Sequence, residues 1–127
     1  MRLYKTKWFV RYARQERIED QSLRDAIERA ERGLVDADLG SGIIKQRVAR
    51  PGQGRSGGYR LLIAYCSGNL AVFLYGFAKN ERDNITADEL ATLQEIGAAW
   101  IAAKKERIEN AIKEGLLKEI HHEYEKE

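Results

Sequence analysis

The chain contains one cysteine, one proline and two histidines in 127 residues, and each scarcity removes a class of function. A lone Cys66 forbids an intramolecular disulfide, so the sequence does not read as a stapled secreted scaffold and suits a reducing cytoplasm. It lies in an apolar run and is expected in the core. His121 and His122 are neighbours in an acidic tail, where adjacent side chains do not converge on one ion. No HExxH, CxxC or GxxxxGK[ST] pattern occurs, so neither a metal nor a cofactor is expected. No apolar run approaches a membrane span, and the opening MRLYKTKWFV is too short and too charged beyond Val10 for a secretory leader. The most informative absence is acidic. No Asp or Glu occurs between Asp38 and Glu81, while Lys45, Arg47, Arg50, Arg55, Arg60 and Lys79 do. The whole chain is only +2, which leaves 16 basic and 20 acidic residues elsewhere. That polarity predicts an anionic partner, foremost a nucleic acid.

What is present suits one domain over residues 1–127, with an apolar fraction of 43% that can build a single core. Leu3 to Lys5 reads as a short strand. Thr6 is a fair N-cap for a helix bearing Trp8, Phe9, Tyr12 and Ala13 on one stripe. Asp20 is expected to cap a second helix with Leu23, Ala26, Ile27 and Ala30 inward, ended by Gly33. The outward charges of that helix (Arg24, Glu28, Arg29 and Glu31) read as solubility. From Gly40 the period becomes two. Residues 43–49 put Ile44, Gln46 and Val48 on one face and Ile43, Lys45, Arg47 and Ala49 on the other. PGQG (51–54) is a breaker loop. Residues 57–66 and 69–77 are apolar strands joined at Ser67-Gly68. Thr86 and Glu89 form a capping box before one long helix that extends to Gly115, and the segment after Gly115 fits a short strand or a frayed helix. The expected class is α+β: an antiparallel sheet of three to four strands, with two N-terminal helices and a C-terminal helix packed to one side.

The candidate chemistry is therefore Lys and Arg on strand ends beside a glycine-rich loop. Guanidinium forks and ammonium groups bind phosphate oxygens and can stabilise the charge of a pentacovalent phosphorane. RNA carries its own nucleophile, the 2′-hydroxyl, so its cleavage requires alignment, a base, an acid and charge stabilisation, with no metal. A lysine crowded by arginines has the depressed pKa such a base requires.

The run IIKQRVARPGQGRSGGYRLLIAY, followed by FLYGFAKNERDNI, resembles the RelE/HigB-type toxins of bacterial toxin–antitoxin pairs. More narrowly, it resembles a subgroup with a K-x-R-x-x-x-x-G-x-G-[KR]-[SG]-G-G-x-R core and a G-[FY]-x-K-[NS]-E motif. The resemblance spans roughly residues 3–103, leaving 104–127 as a C-terminal extension. It implies a small RelE-like fold and a ribosome-dependent endoribonuclease that leaves a 2′,3′-cyclic phosphate and a 5′-hydroxyl, thereby inhibiting translation. Carried over by position, Lys45 is the candidate base, Arg47 and Arg60 hold the scissile phosphate, and Lys79 adds charge stabilisation. Arg50 and Arg55 become contacts to mRNA or ribosomal RNA. Tyr59 stacks a base or packs into the core or loop. The implied partners are the ribosome, mRNA and a cognate antitoxin of the helix-turn-helix DNA-binding type.

One departure stands out. The tyrosine that follows the last strand in the prototype has no counterpart in Asp83-Asn84-Ile85-Thr86, so the general acid is unassigned. Two other classes remain open. One is a non-catalytic inhibitor of another target such as gyrase, whose known examples lack this basic set. The other is a phosphate- or RNA-binding regulatory module that acts by occupancy.

Overall fold

Beyond residue 43 the chain alternates or runs apolar in short segments bounded by glycine, and these segments pair into the middle of a sheet. The computed structural model describes residues 1–50 and 57–121; the PGQG loop, Arg55 and His122 lie outside them. In chain order the elements are β1 (Arg2–Thr6), α1 (Lys7–Glu16), α2 (Asp20–Glu31), β2 (Ala37–Asp38), β3 (Ile43–Val48), β4 (Tyr59–Cys66), β5 (Leu70–Ala78), α3 (Ala87–Ala102), α4 (Lys105–Lys113) and β6 (Leu117–Ile120). The strands form one sheet in the order β2-β3-β4-β5-β1-β6. The α+β class holds, with six strands where three to four were expected. The sheet is mostly antiparallel, but β1 runs parallel to β5.

The local signals act as read at most boundaries. Thr6 accepts the Phe9 amide at 3.2 Å and starts α1. At the end of α2, Gly33 takes φ 82°, which a residue with a Cβ adopts at a cost. Thr86 and Glu89 exchange both capping-box bonds. The hairpin closes with the Asn69 amide on the Cys66 carbonyl at 3.0 Å. Asp20 behaves otherwise. The N-cap of α2 is Glu19, and Asp20 is the first helical residue, drawn instead to Lys5 Nζ at 2.7 Å. The predicted long helix is two, because Ala103 is extended (ψ 135°) and Lys104 caps α4. The undecided segment after Gly115 is β6, which pairs antiparallel with β1.

The helices cover both faces of the sheet, not one. Phe9, Ala13, Leu23, Ala26 and Ile27 of α1 and α2 pack with Leu3, Ile44, Val48, Tyr59, Leu61, Ile63 and Phe73. Leu93 of α3 and Ile108 and Ala111 of α4 pack with Tyr4, Ile43, Leu62, Ala64, Val72 and Leu74 on the opposite face. Alternating residues of β4 serve the two layers, which is why Leu61 to Ala64 are all fully buried and why the strand reads as a continuous apolar run. Each such Leu, Ile or Phe contributes roughly 1.5–3 kcal/mol through burial. Two expected core residues sit further out: Cys66 is half-buried and Trp8 is 44% exposed.

The β4–β5 ladder contains one irregularity. Leu62 opposes Tyr75 while Ile63 opposes Phe73, so Leu74 has no partner and forms a β-bulge. Where β3, β4 and β5 end together, Gly58 seals the corner. Its carbonyl accepts the Lys79 amide at 3.0 Å, and a Cβ there would lie 2.1 Å from Val48 O and 2.8 Å from Arg50 N. These are backbone atoms and cannot yield without opening the ladder. Gly58→Ala should therefore lose at least about 2 kcal/mol of stability, read as a lower denaturant midpoint; an unchanged midpoint would mean that the strand ends are not tightly apposed.

Candidate phosphate-binding site

Register assembles the site. Within the β3–β4 ladder Arg47 lies directly opposite Arg60, and Lys45 opposite Leu62. Across β5, Arg60 faces Phe77, so Lys79, two residues further along, projects from the same face. This is the α3 side of the sheet, to which Ile43 and Leu62 also belong. The backbone of Arg47 bonds outward on both sides. Its amide donates to Asp36 Oδ2 at 2.7 Å, and its carbonyl accepts from Arg29. Arg47 and Arg60 thus form a non-hydrogen-bonded pair, the kind in which Cα atoms come to about 4.5 Å and the side chains are closest.

Each cation has its own setting. Arg60 is only 9% exposed; burial lowers its pKa first, and Arg47 adds to this while Asp36 opposes it. The Arg47 guanidinium is half exposed and lies 3.5 Å from Asp36 Oδ1. Lys79 Nζ lies 2.9 Å from Asp83 one helical turn's spacing on, and that bond holds the Asp83 carboxyl below its ordinary range. The Lys45 ammonium makes no hydrogen bond or ion pair among the described residues. Its pKa is lowered, chiefly by burial and then by the nearby charges of Arg60, Lys79 and Arg47. The four candidate cations therefore converge, and among the described residues Lys45 has no ion-pair partner.

The three candidate RNA contacts fare differently. Arg50 turns to the other side of the sheet end, with its guanidinium 5.6 Å from the Tyr59 ring centroid and Nη1 3.4 Å from Asn80 Oδ1. Tyr59 is 3% exposed. Its hydroxyl donates to Glu16 O at 3.3 Å and its ring meets Tyr12 edge-on. Of the two roles held open for it, packing is the one its placement allows, since base stacking requires an open ring face. Strand alternation carried that signal already: a neighbour of Arg60 cannot share its face. Arg55 lies outside the described residues.

Sequence reasoning missed the groups that hold the site. The charged face of α2, read as solubility, ties strands together. Arg29 grips Arg47 O, Arg24 donates to His121 O at 2.8 Å, and Glu31 accepts from Tyr65, Ser67 and the Gly68 amide. Gln46 is fully buried and satisfied at both ends of its amide. Among the described residues no group of three His, Cys, Asp or Glu side chains could hold a metal ion, and no helix is long and apolar enough to cross a membrane.

A family model described as the RelE toxin of the RelE / RelB toxin–antitoxin system matches residues 1–120, and the chain belongs to that family. It is thus a toxin of a toxin–antitoxin pair, with an antitoxin as its counterpart. A comparison with curated proteins finds no match.

The convergence is testable on Lys45 itself. Titrated by NMR at Nζ, it should lose its proton at lower pH than an ordinary lysine, and Lys79→Ala or Arg60→Ala should move the midpoint upward by removing a like charge. An ordinary lysine midpoint in the unmodified protein would show that the cations do not crowd it.

Proposed function

We propose that this toxin is a ribosome-dependent mRNA endoribonuclease. The observation that carries the reading is the convergence of Lys45, Arg47, Arg60 and Lys79 on one face, with Lys45 unpaired among the described residues and its pKa lowered by burial and by its neighbours. In this reading the ribosome presents mRNA to the face, and the cations take the scissile phosphate. Neutral Lys45 removes the proton from the 2′-hydroxyl, which attacks the adjacent phosphorus. Charge grows on the equatorial oxygens of the phosphorane, where preorganised Arg47, Arg60 and Lys79 favour the transition state over the ground state. Expulsion of the 5′-oxygen leaves a 2′,3′-cyclic phosphate and a 5′-hydroxyl. Asp83, ionised beside Lys79, is an acceptor in this scheme, and protonation of the leaving oxygen is not assigned to a side chain.

The sign of the pH dependence follows. A base must be deprotonated to act, and a lowered pKa enlarges its neutral fraction at a given pH, so cleavage rises with pH through a midpoint below the ordinary lysine value. The deciding experiment expresses the protein from a tightly controlled promoter and maps mRNA 5′ ends. New 5′ ends bearing hydroxyls are expected from the unaltered protein. Arg60→Ala should reduce them about 100-fold or more, the scale of losing one oxyanion donor. Growth arrest with no new 5′ ends would overturn the nuclease reading in favour of inhibition of a protein target or occupancy of RNA. Arrest with cleavage untouched by Arg60→Ala would overturn the site assignment.

A further inference from the structure

We propose that Asp36 and Arg29 are positioning residues for this site, their side chains replacing the strand that Arg47 lacks on its outer edge; the proposal rests on the ribonuclease reading. β2 is only two residues long and pairs Ala37 with Lys45 and Asp38 with Ile44. Past Lys45 the outer edge of β3 has no neighbouring strand among the described residues to bond the Arg47 peptide groups, and an unpaired edge position frays or drifts. Two side chains supply the missing bonds. Asp36 Oδ2 accepts the Arg47 amide at 2.7 Å, and Arg29 of α2 donates to the Arg47 carbonyl.

Asp36 is itself anchored. Its amide donates to Gln46 Oε1 at 2.7 Å, and Gln46 Nε2 donates to Ala26 O of α2 at 2.9 Å and to Leu34 O at 3.2 Å. The fully buried Gln46 thus ties the Asp36 segment to the same helix that supplies Arg29. Arg47 is gripped from two points of one rigid body, and its cross-strand partner Arg60 is held in register with it. The two Asp36 oxygens divide the work. Oδ2 keeps the short bond to the backbone, while Oδ1 touches the guanidinium only at 3.5 Å, so the side chain is free to swing onto phosphate with its Cα still fixed.

The test compares Asp36→Ala, Asp36→Asn and Arg29→Ala with the unaltered protein in single-turnover cleavage of ribosome-bound mRNA, alongside amide hydrogen exchange at Arg47. Displacement of a catalytic group by an ångström costs on the order of 100-fold in rate. Asp36→Ala should accordingly lower the maximal rate about 10- to 100-fold with half-saturation unchanged, and speed exchange at Arg47. Asp36→Asn keeps an oxygen that accepts the amide and should recover most of the loss. Arg29→Ala should act in the same direction as Asp36→Ala. Equal impairment of the Asn and Ala variants would overturn the proposal in favour of a charge effect, and a rate loss that merely tracks the fraction of folded protein would overturn it in favour of a stability role. An Asp36→Ala variant with unaltered cleavage and exchange would also overturn it. If the unaltered protein leaves ribosome-bound mRNA intact, it is the ribonuclease reading that fails, and the positioning role falls with it.

Discussion

Everything distinctive about this protein depends on holding like charges together. Lys45, Arg47, Arg60 and Lys79 repel one another, and in an unfolded chain nothing would keep them close. A hydrogen-bonded ladder does so. Cross-strand pairing sets Arg47 against Arg60, and the two-sided burial of β4 makes slippage costly, because a shift of one residue would turn every apolar side chain to the wrong layer. The unfavourable charge energy is stored in the site and offset by the core. Such stored strain is what an anionic substrate relieves, so the same feature that opposes folding favours binding.

The contrast between Lys45 and its neighbours follows from the few acids nearby. Asp36 and Asp83 stand beside Arg47 and Lys79, which leaves Lys45 as the group whose charge is least compensated. Both carboxylates belong to segments flanking the acid-free interval, so the interval gains counter-ions from its two ends while its middle remains positive. Affinity for polyanions and a perturbed lysine are two results of one distribution.

What could be read from the sequence was whatever is decided locally. Thr6, the Thr86–Glu89 box and Ser67-Gly68 each depend on residues within a few positions, and all three mark the boundaries they were expected to mark. The shared face of Lys45 and Arg47 needed only the period of a strand. Long-range choices were not legible. Nothing near Leu3 states that β1 lies parallel to β5, and nothing in α2 states that Arg29 and Glu31 reach strands 18 and 34 or more residues away. The division of helices between two faces was foreshadowed by the continuous apolar run Leu61 to Ala64, since a strand open on one side would alternate. A two-residue strand such as β2 leaves no periodic trace, and the pairing of Arg47 with side chains is hidden with it.

The bulge at Leu74 decides a matter of parity. Phe73 shares the face of Ile63, and the ordinary alternation of β5 would carry that parity on through Tyr75 and Phe77 to Lys79, toward α1 and α2. With the extra residue, Leu62 meets Tyr75 and Arg60 meets Phe77 instead, and every later side chain changes side. Lys79 joins the cations because the strand is one residue out of phase. The same strand paired in regular register, with Leu74 opposite Leu62, would keep its composition and all four cations, yet would present three on one face and the fourth on the other. In this family member the register of β5 against β4 is thus as much a part of the site as the identity of its lysine.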